Sequence, residues 1–78
     1  MNLSDLIRQS AEWTRNSNVE IDVDESFGTV AIGELAFMQG DEADSFIESA
    51  NDLYEKCGDV TIDECYEYLA WSYIECLS

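Results

Sequence analysis

The chain has 78 residues, with eighteen acidic and three basic side chains, no histidine and a formal net charge of −15. This charge excludes nucleic acid and anionic membranes as direct ligands, because both are bound through clusters of lysine and arginine. Hydrophobic residues make up 46% of the chain, so it can bury a core and differs from a disordered acidic tail. We expect a single small acidic domain over residues 1–78, since no linker-like run divides it.

The first predicted element is a helix from Leu3 to about Ser17. Asn2 or Ser4 is expected to cap it, and Asp5 lies in its first turn, where the helix dipole favours an anion. Both arginines lie on this helix, so the N-terminal segment is the least acidic part of the chain. The side chains expected to share its core-facing side are Leu3, Leu6, Ile7, Ser10, Trp13 and Thr14.

Three short strands are predicted next. Val19–Asp24 alternates apolar and acidic residues, which is typical of a half-buried strand with its acids facing outward. Residues 25–28 are expected to form a turn before a second strand, Thr29–Ile32. The outward acids of the first strand are Glu20, Asp22 and Asp24.

The connection to the third strand allows two interpretations. Gly33-Glu34 suits a two-residue type II′ hairpin loop, with glycine first, followed by a strand over Leu35–Met38. The alternative is one long strand with a bulge at Gly33.

Residues 39–57 predict an amphipathic second helix, around which we expect the chain to be organised. Asp41 is its expected N-cap, and Gly58 is its expected C′ glycine. Its apolar face comprises Ala43, Phe46, Ile47, Ala50, Leu53, Tyr54 and Cys57. Its other face is mostly acidic, with a single base, Lys56, and comprises Asp41, Glu42, Asp44, Glu48, Asp52 and Glu55.

The third helix is predicted from a capping box, Thr61-x-x-Glu64, with Val60 and Cys65 as a hydrophobic staple. Its expected core stripe is Ile62, Cys65, Tyr66, Leu69, Tyr73, Cys76 and Leu77. A second face carries Glu64, Glu67, Tyr68, Trp71 and Glu75. The order α-β-β-β-α-α predicts an α+β fold, with helices on a small antiparallel three-stranded sheet.

The sequence offers little for catalysis or metal binding. Histidine is absent, no nucleophile stands in a recognisable motif, and no glycine-rich phosphate loop occurs. Asp22-x-Asp24-x-Ser26 resembles the start of an EF-hand loop, but Phe27 and Gly33 replace its glycine and glutamate. We therefore expect no enzyme, no cofactor and no metal site.

The three cysteines are expected to be reduced, buried thiols, which is typical of a cytoplasmic protein. They are odd in number and form no CxxC pair: Cys57, Cys65 and Cys76. The N-terminus lacks the pattern of a signal peptide, and the apolar-rich run over residues 66–77 is too short to span a membrane.

The acidic surface predicts mimicry of nucleic acid. A compact domain of this length is roughly 30 Å across. That length of duplex DNA carries about 17 or 18 charges, which is close to the net charge of −15. Carboxylates at this density suit the basic groove of a nucleic-acid-binding protein.

A family resemblance points the same way. Residues 35–45, Leu-Ala-Phe-Met-Gln-Gly-Asp-Glu-Ala-Asp-Ser, resemble a segment of phage-encoded type I-F anti-CRISPR proteins that act as DNA mimics. The resemblance covers about twenty residues, including the acidic helix that this segment opens, and the N-terminal halves do not align. It implies an inhibitor, encoded by a phage or mobile element, of a host nucleic-acid enzyme. We expect it to evade host defence in the cytoplasm of an infected bacterium, with a basic nucleic-acid-binding protein, above all a CRISPR effector complex, as its partner.

The residues expected to contact the partner combine acids with two aromatic anchors. They are Asp22, Asp24, Glu34, Asp41, Glu42, Asp44, Glu48, Asp52, Glu64, Glu67, Tyr68 and Trp71. Two alternatives stay open. The target could be a restriction enzyme, a uracil-DNA glycosylase or a nucleoid protein. The chain could instead be a structural or adaptor protein that forms a homodimer through its third helix. Tyr68 and Trp71 would then not be anchors but would pack against the first helix or against a second copy of the chain.

Overall fold

The computed structural model describes residues 2–77 and shows an α+β fold with the predicted order α-β-β-β-α-α. The helices are α1 (Leu3–Asn16), α2 (Asp41–Lys56) and α3 (Ile62–Leu77), and the strands are β1 (Ile21–Asp24), β2 (Thr29–Ile32) and β3 (Ala36–Gln39). The strands form one antiparallel sheet in the order β1-β2-β3. The predicted fold class is therefore confirmed.

Helix α1 begins as predicted and buries a slightly different face. The side chain of Asn2 accepts a hydrogen bond from the backbone N–H of Asp5 at 2.9 Å, which confirms Asn2 as the cap. The buried positions are Ile7, Ser10, Ala11 and Thr14. Trp13, predicted to face the core, is 41% exposed, and Leu3 is exposed as well. Ala11 takes part in their place, because the buried face is centred between residues 7, 10, 11 and 14.

The hairpin between β2 and β3 corrects the predicted loop. Ile32 pairs with Ala36, so three residues form the loop and β3 begins one residue later than predicted. A tight turn is still made within this loop, since the N–H of Leu35 donates to the carbonyl of Ile32 at 3.0 Å and Gly33 has a positive φ of 52°. The extra loop residue reverses which side chains of β3 face the core.

In the observed register, the sheet has an apolar inner face and a mixed outer face. Val30 and Ile32 are fully buried and Met38 nearly so, beneath Ala43 and Phe46 of α2. The outer face carries the opposite parity: Asp22, Ala31 and Phe37 in one row across the strands, and Asp24, Thr29 and Gln39 in the next. Val19 and Glu20, which were predicted to belong to β1, precede it.

The ends of helix α2 differ from the prediction in one position and in one conformation. Gly40 is the N-cap, with φ 63° and ψ −137°, and Asp41 is the first helical residue, so no side chain caps this end. At the other end the helix stops at Lys56, with Cys57 as C-cap. Gly58 follows the C-cap and so occupies the predicted C′ position, but it lies outside the left-handed region that a Schellman or αL cap requires.

Helix α3 has the predicted start. The hydroxyl of Thr61 accepts from the N–H of Glu64 at 3.1 Å, and the Glu64 carboxylate accepts from the N–H of Thr61 at 2.9 Å. Val60 and Cys65 are buried in one cluster, as the staple predicts. The end of the predicted stripe is wrong, because Cys76 and Leu77 are exposed. The helical period predicts the face of α3 on which a residue lies. It does not predict how far the neighbouring elements extend along α3, and they leave its last turn uncovered.

The central element is α3, and not α2 as predicted. It packs against α1, α2 and β1, whereas α2 packs against α3, β2 and β3. One core cluster joins the sheet to α2 and α3, and a second joins α1 to both of these helices and to the connection between them. Tyr66, Leu69 and Tyr73 recur at the i, i+3, i+7 spacing of one helix face, and all three are partly buried against the first cluster.

Candidate interaction site

The outward flank of α2 carries a row of exposed carboxylates, which we call the acidic stripe. Its members recur every three or four residues: Asp41, Asp44, Glu48, Asp52 and Glu55. A rise of about 1.5 Å per residue spreads them over about 21 Å, or one charge per roughly 5 Å. One strand of duplex DNA carries one charge per about 3.4 Å. The stripe thus approaches the linear charge density of a single strand.

The packing of α2 determines the direction of this stripe. Ala43, Phe46 and Ala50 are buried against the sheet and α3, which leaves the opposite flank in solvent. Glu42, also predicted as a contact, lies on another flank. There it borders an open groove of about 370 Å³ between α2 and α3, lined by Met38 and Leu69 among others.

The turn between β1 and β2 lies beside the stripe. A side chain at Gly28 would come within 3.9 Å of the Asp44 carboxylate. Glu25, in the same turn, accepts a hydrogen bond from the hydroxyl of Tyr66 at 3.4 Å. Burial, and then the charge of Glu25, raise the pKa of Tyr66, so this phenol stays protonated as the donor.

Asp24 has a structural task in that turn. Its Oδ1 accepts from the backbone N–H groups of Ser26 and Phe27 at 3.0 and 3.1 Å. The carboxylate therefore stabilises the chain reversal as an Asx turn, in addition to contributing charge.

The remaining predicted acids of the sheet lie apart from the stripe. Asp22 and Glu34 border an open depression of about 600 Å³ on the outer face, together with Glu20. Helix α2 packs on the inner face. The fold therefore does not join these acids to the stripe in one continuous array.

The predicted acids of α3 are engaged within the protein. Glu67 receives two hydrogen bonds from the guanidinium of Arg15, both at 2.7 Å, and this hydrogen bonding raises the pKa of Arg15. The backbone carbonyl of Glu67 also accepts from the hydroxyl of buried Thr14. Glu64 belongs to the capping box. Neither carboxylate is as available to a partner as those of α2.

The second arginine is paired on the same side of the molecule. Arg8 donates to the Asp59 carboxylate at 2.7 Å, and Ser4 donates to its other oxygen at 2.7 Å. These hydrogen bonds lower the pKa of Asp59, and the pairing raises the pKa of Arg8. Within residues 2–77 all ion pairs involve the two arginines of α1, so the acids of the stripe have no ion-pair partner there.

The two aromatic candidates are stacked on each other. The rings of Tyr68 and Trp71 have centroids 6.0 Å apart and planes inclined by 24°. Both residues are half-buried, and Tyr68 packs against the cluster beneath α1 that contains Ile7 and Cys65. This arrangement matches the packing alternative for Tyr68.

Sequence reasoning missed the exposed apolar side chains of the outer sheet face. Leu35 is 56% exposed and Phe37 64% exposed, and Phe37 is paired with Ala31. Gln39 could have indicated this exposure. A polar residue at the end of β3 is expected to face solvent, and Phe37, two residues earlier, lies on the same face of the strand.

The cysteines differ in their surroundings. Cys57 and Cys65 are free and buried, as predicted, whereas Cys76 is free and exposed, which corrects the prediction for that residue. Burial raises the pKa of the Cys65 thiol, so it stays protonated and weakly nucleophilic.

The described residues contain neither a metal-binding cluster nor a helix that could span a membrane. Across the described residues, no three cysteine or acidic side chains are grouped so as to hold a metal ion. None of the described helices is long and apolar enough to cross a bilayer.

Comparisons with protein-family descriptions, with curated proteins and with solved structures found no match to this chain.

Proposed function

We propose that this protein is a non-enzymatic inhibitor that mimics nucleic acid and occupies the basic DNA- or RNA-binding site of a host defence complex. The observation that carries the proposal is the acidic stripe: five exposed carboxylates on one flank of α2, none in an ion pair within the described chain.

The dimensions of the molecule support this function. Its longest extent is 33 Å, a length over which duplex DNA carries about 19 charges. The net charge of −15 is of the same order. A groove shaped for a short piece of duplex could accept the protein in both length and charge.

The distribution of charge supports it as well. Both arginines are paired on the α1 side, where they neutralise Asp59 and Glu67, and α2 keeps a single base, Lys56, which forms no ion pair within the described residues. Such an asymmetry orients the protein in the field of a basic partner and accelerates association.

A CRISPR effector complex is the first target to test. The segment that resembles type I-F anti-CRISPR proteins covers β3 and the first turn of α2, and it includes Asp41 and Asp44 of the stripe. A restriction enzyme, a uracil-DNA glycosylase or a nucleoid protein would be bound by the same chemistry. The corresponding site of action is the cytoplasm of an infected bacterium.

A second candidate function, a dimeric adaptor, rests on α3. Its last turn exposes Leu77 and Cys76, and the Tyr68–Trp71 pair is only half-buried. Association through these apolar groups would persist at high salt, whereas mimicry through carboxylates would weaken steeply with salt.

Capture of the partner separates the two functions. The tagged protein is incubated with a DNase-treated bacterial lysate that contains a type I-F effector complex. Mimicry predicts that a basic nucleic-acid-binding protein is retained and is eluted by added duplex DNA. Retention that duplex DNA and high salt both leave unchanged would contradict mimicry and favour the adaptor.

A further inference from the structure

The outer face of the sheet is a second interaction surface, built differently from the acidic stripe. Its centre is apolar, with Leu35 56% and Phe37 64% exposed and Ala31 half-buried beside Phe37. The helices do not cover it, because α2 and α3 pack on the inner face, over Val30 and Met38.

Carboxylates border this apolar centre on one side. Asp22 is paired with Ala31 across the strands, and Glu20 and Glu34 line the same depression of about 600 Å³. All three residues are exposed and form no ion pair within the described residues. The row Asp22–Ala31–Phe37 thus places an acid, a methyl group and an aromatic ring side by side.

We propose that this surface, which we call the sheet patch, binds a basic amphipathic segment of a partner protein. An apolar side chain of that segment would pack against Leu35 and Phe37, while its lysine or arginine side chains pair with Asp22 and the neighbouring glutamates. Charge complementarity selects this occupant. A second copy of the chain would bring the same carboxylates, and its own charge of −15, against them.

The inference goes beyond the proposed mimicry, since it concerns different residues and requires an apolar contribution. Mimicry through α2 requires only positive charge in the partner. Binding to the sheet patch requires both positive charge and an apolar side chain in the partner, so the patch would discriminate among basic partners.

Two peptides of equal charge test the proposal. One alternates lysine and valine and the other alternates lysine and serine, both about nine residues long, which spans roughly 30 Å when extended. Binding to the full chain is measured by fluorescence anisotropy, and the contact is located by amide chemical shifts in NMR spectra. We expect the lysine–valine peptide to bind about tenfold more tightly, because burying one apolar side chain is worth at least that factor. The largest shifts are expected at Ala31, Leu35 and Phe37.

Substitutions provide the matched comparison. Phe37→Ser should remove most of the preference for the lysine–valine peptide, and Leu35→Ser should reduce it. Phe27→Ser removes an aromatic ring that is 82% exposed but lies in the β1–β2 turn, so it should leave the preference unchanged. Circular dichroism confirms that each variant is folded.

Three results would overturn the proposal. The peptides could bind equally, the shifts could centre on the acidic stripe, or the patch signals could move with protein concentration alone, which would identify a second copy as the occupant. Failure of mimicry is scored separately, because Asp41→Lys, Asp44→Lys and Glu48→Lys change only α2 and should leave the peptide preference intact.

Discussion

At the scale of single residues, two arginines of α1 form ion pairs with acids elsewhere in the chain. Arg15 is held by Glu67 of α3, and Arg8 is held by Asp59 in the connection before α3. These contacts use the only arginines in a chain with eighteen acids. They therefore have two consequences: they join α1 to its neighbours, and they leave no arginine to neutralise α2.

The Asp59 contact predicts a specific pH dependence. Hydrogen bonds from Ser4 and Arg8 lower the pKa of Asp59 from its usual 3.8, so its contribution to stability is complete above that value and is lost as the pH falls through the lowered pKa. At pH 7, Asp59→Asn should therefore melt at a lower temperature than the native chain. The difference should shrink as the pH falls from about 5 to about 2. Thermal unfolding followed by circular dichroism measures it, and a difference independent of pH would contradict this account.

At the scale of elements, the start of α2 is set by the backbone conformation of Gly40 and not by a side-chain cap. Gly40 has a positive φ of 63° with ψ near −137°, a combination that residues with a Cβ rarely adopt, and nothing lies within 4 Å of the place a Cβ would occupy. Gly58 also has open space, but its φ is not positive. A side chain would meet no steric crowding at either glycine, so a difference between substitutions at the two positions would report backbone strain at Gly40 alone.

Alanine should destabilise the protein at Gly40 but not at Gly58. Gly40→Ala should lower the free energy of unfolding by about 1–3 kcal/mol, because the backbone must be strained or rearranged. Gly58→Ala should be neutral or stabilising by up to about 1 kcal/mol, since it restricts the unfolded chain without straining the native one. Urea unfolding measures both. Equal destabilisation by the two substitutions would show that the conformation at Gly40 is not the cause.

Local patterns predicted most of the elements but not their surroundings. The capping box at Thr61 and the alternation in β1 are sequence-local signals, and both are observed. The register of β3 depends on one loop residue, which no local pattern specified, and that residue decides that Phe37 faces solvent. The exposure of Cys76 depends on how far neighbouring helices extend, which is a property of packing.

The candidate site was predicted in part for the same reason. The exposed acids of α2 follow from helical period alone, and the structure places them on one flank. The sequence did not show that Asp22 and Glu34 lie on the other side of the sheet, or that Glu67 is paired with Arg15. Those facts depend on contacts between residues far apart in the chain.

At the scale of the whole molecule, unpaired carboxylates should cost stability through mutual repulsion. Raising the salt concentration from about 0.01 M to about 1 M shortens the Debye length from about 30 Å to about 3 Å. We expect the melting temperature of the native chain to rise over this range. In the variant with Asp41→Lys, Asp44→Lys and Glu48→Lys, the rise should be smaller, because much of the repulsion is gone. A melting temperature that falls with salt would contradict the repulsion argument.

The central claim is that the position of the α2 acids, and not net charge alone, produces inhibition. A matched control exists, because Glu12, Asp63 and Glu75 are exposed acids on α1 and α3. Reversing those three to lysine changes the net charge as much as reversing Asp41, Asp44 and Glu48.

The most direct measurement is competition with fluorescent duplex DNA for the partner captured from the lysate, using the native chain and both triple variants. Circular dichroism first confirms that both variants are folded. The account predicts that the native chain displaces DNA, that the α2 variant does not, and that the control variant retains most of the activity. Full displacement of DNA by the α2 variant, or equal loss in both variants, would contradict it.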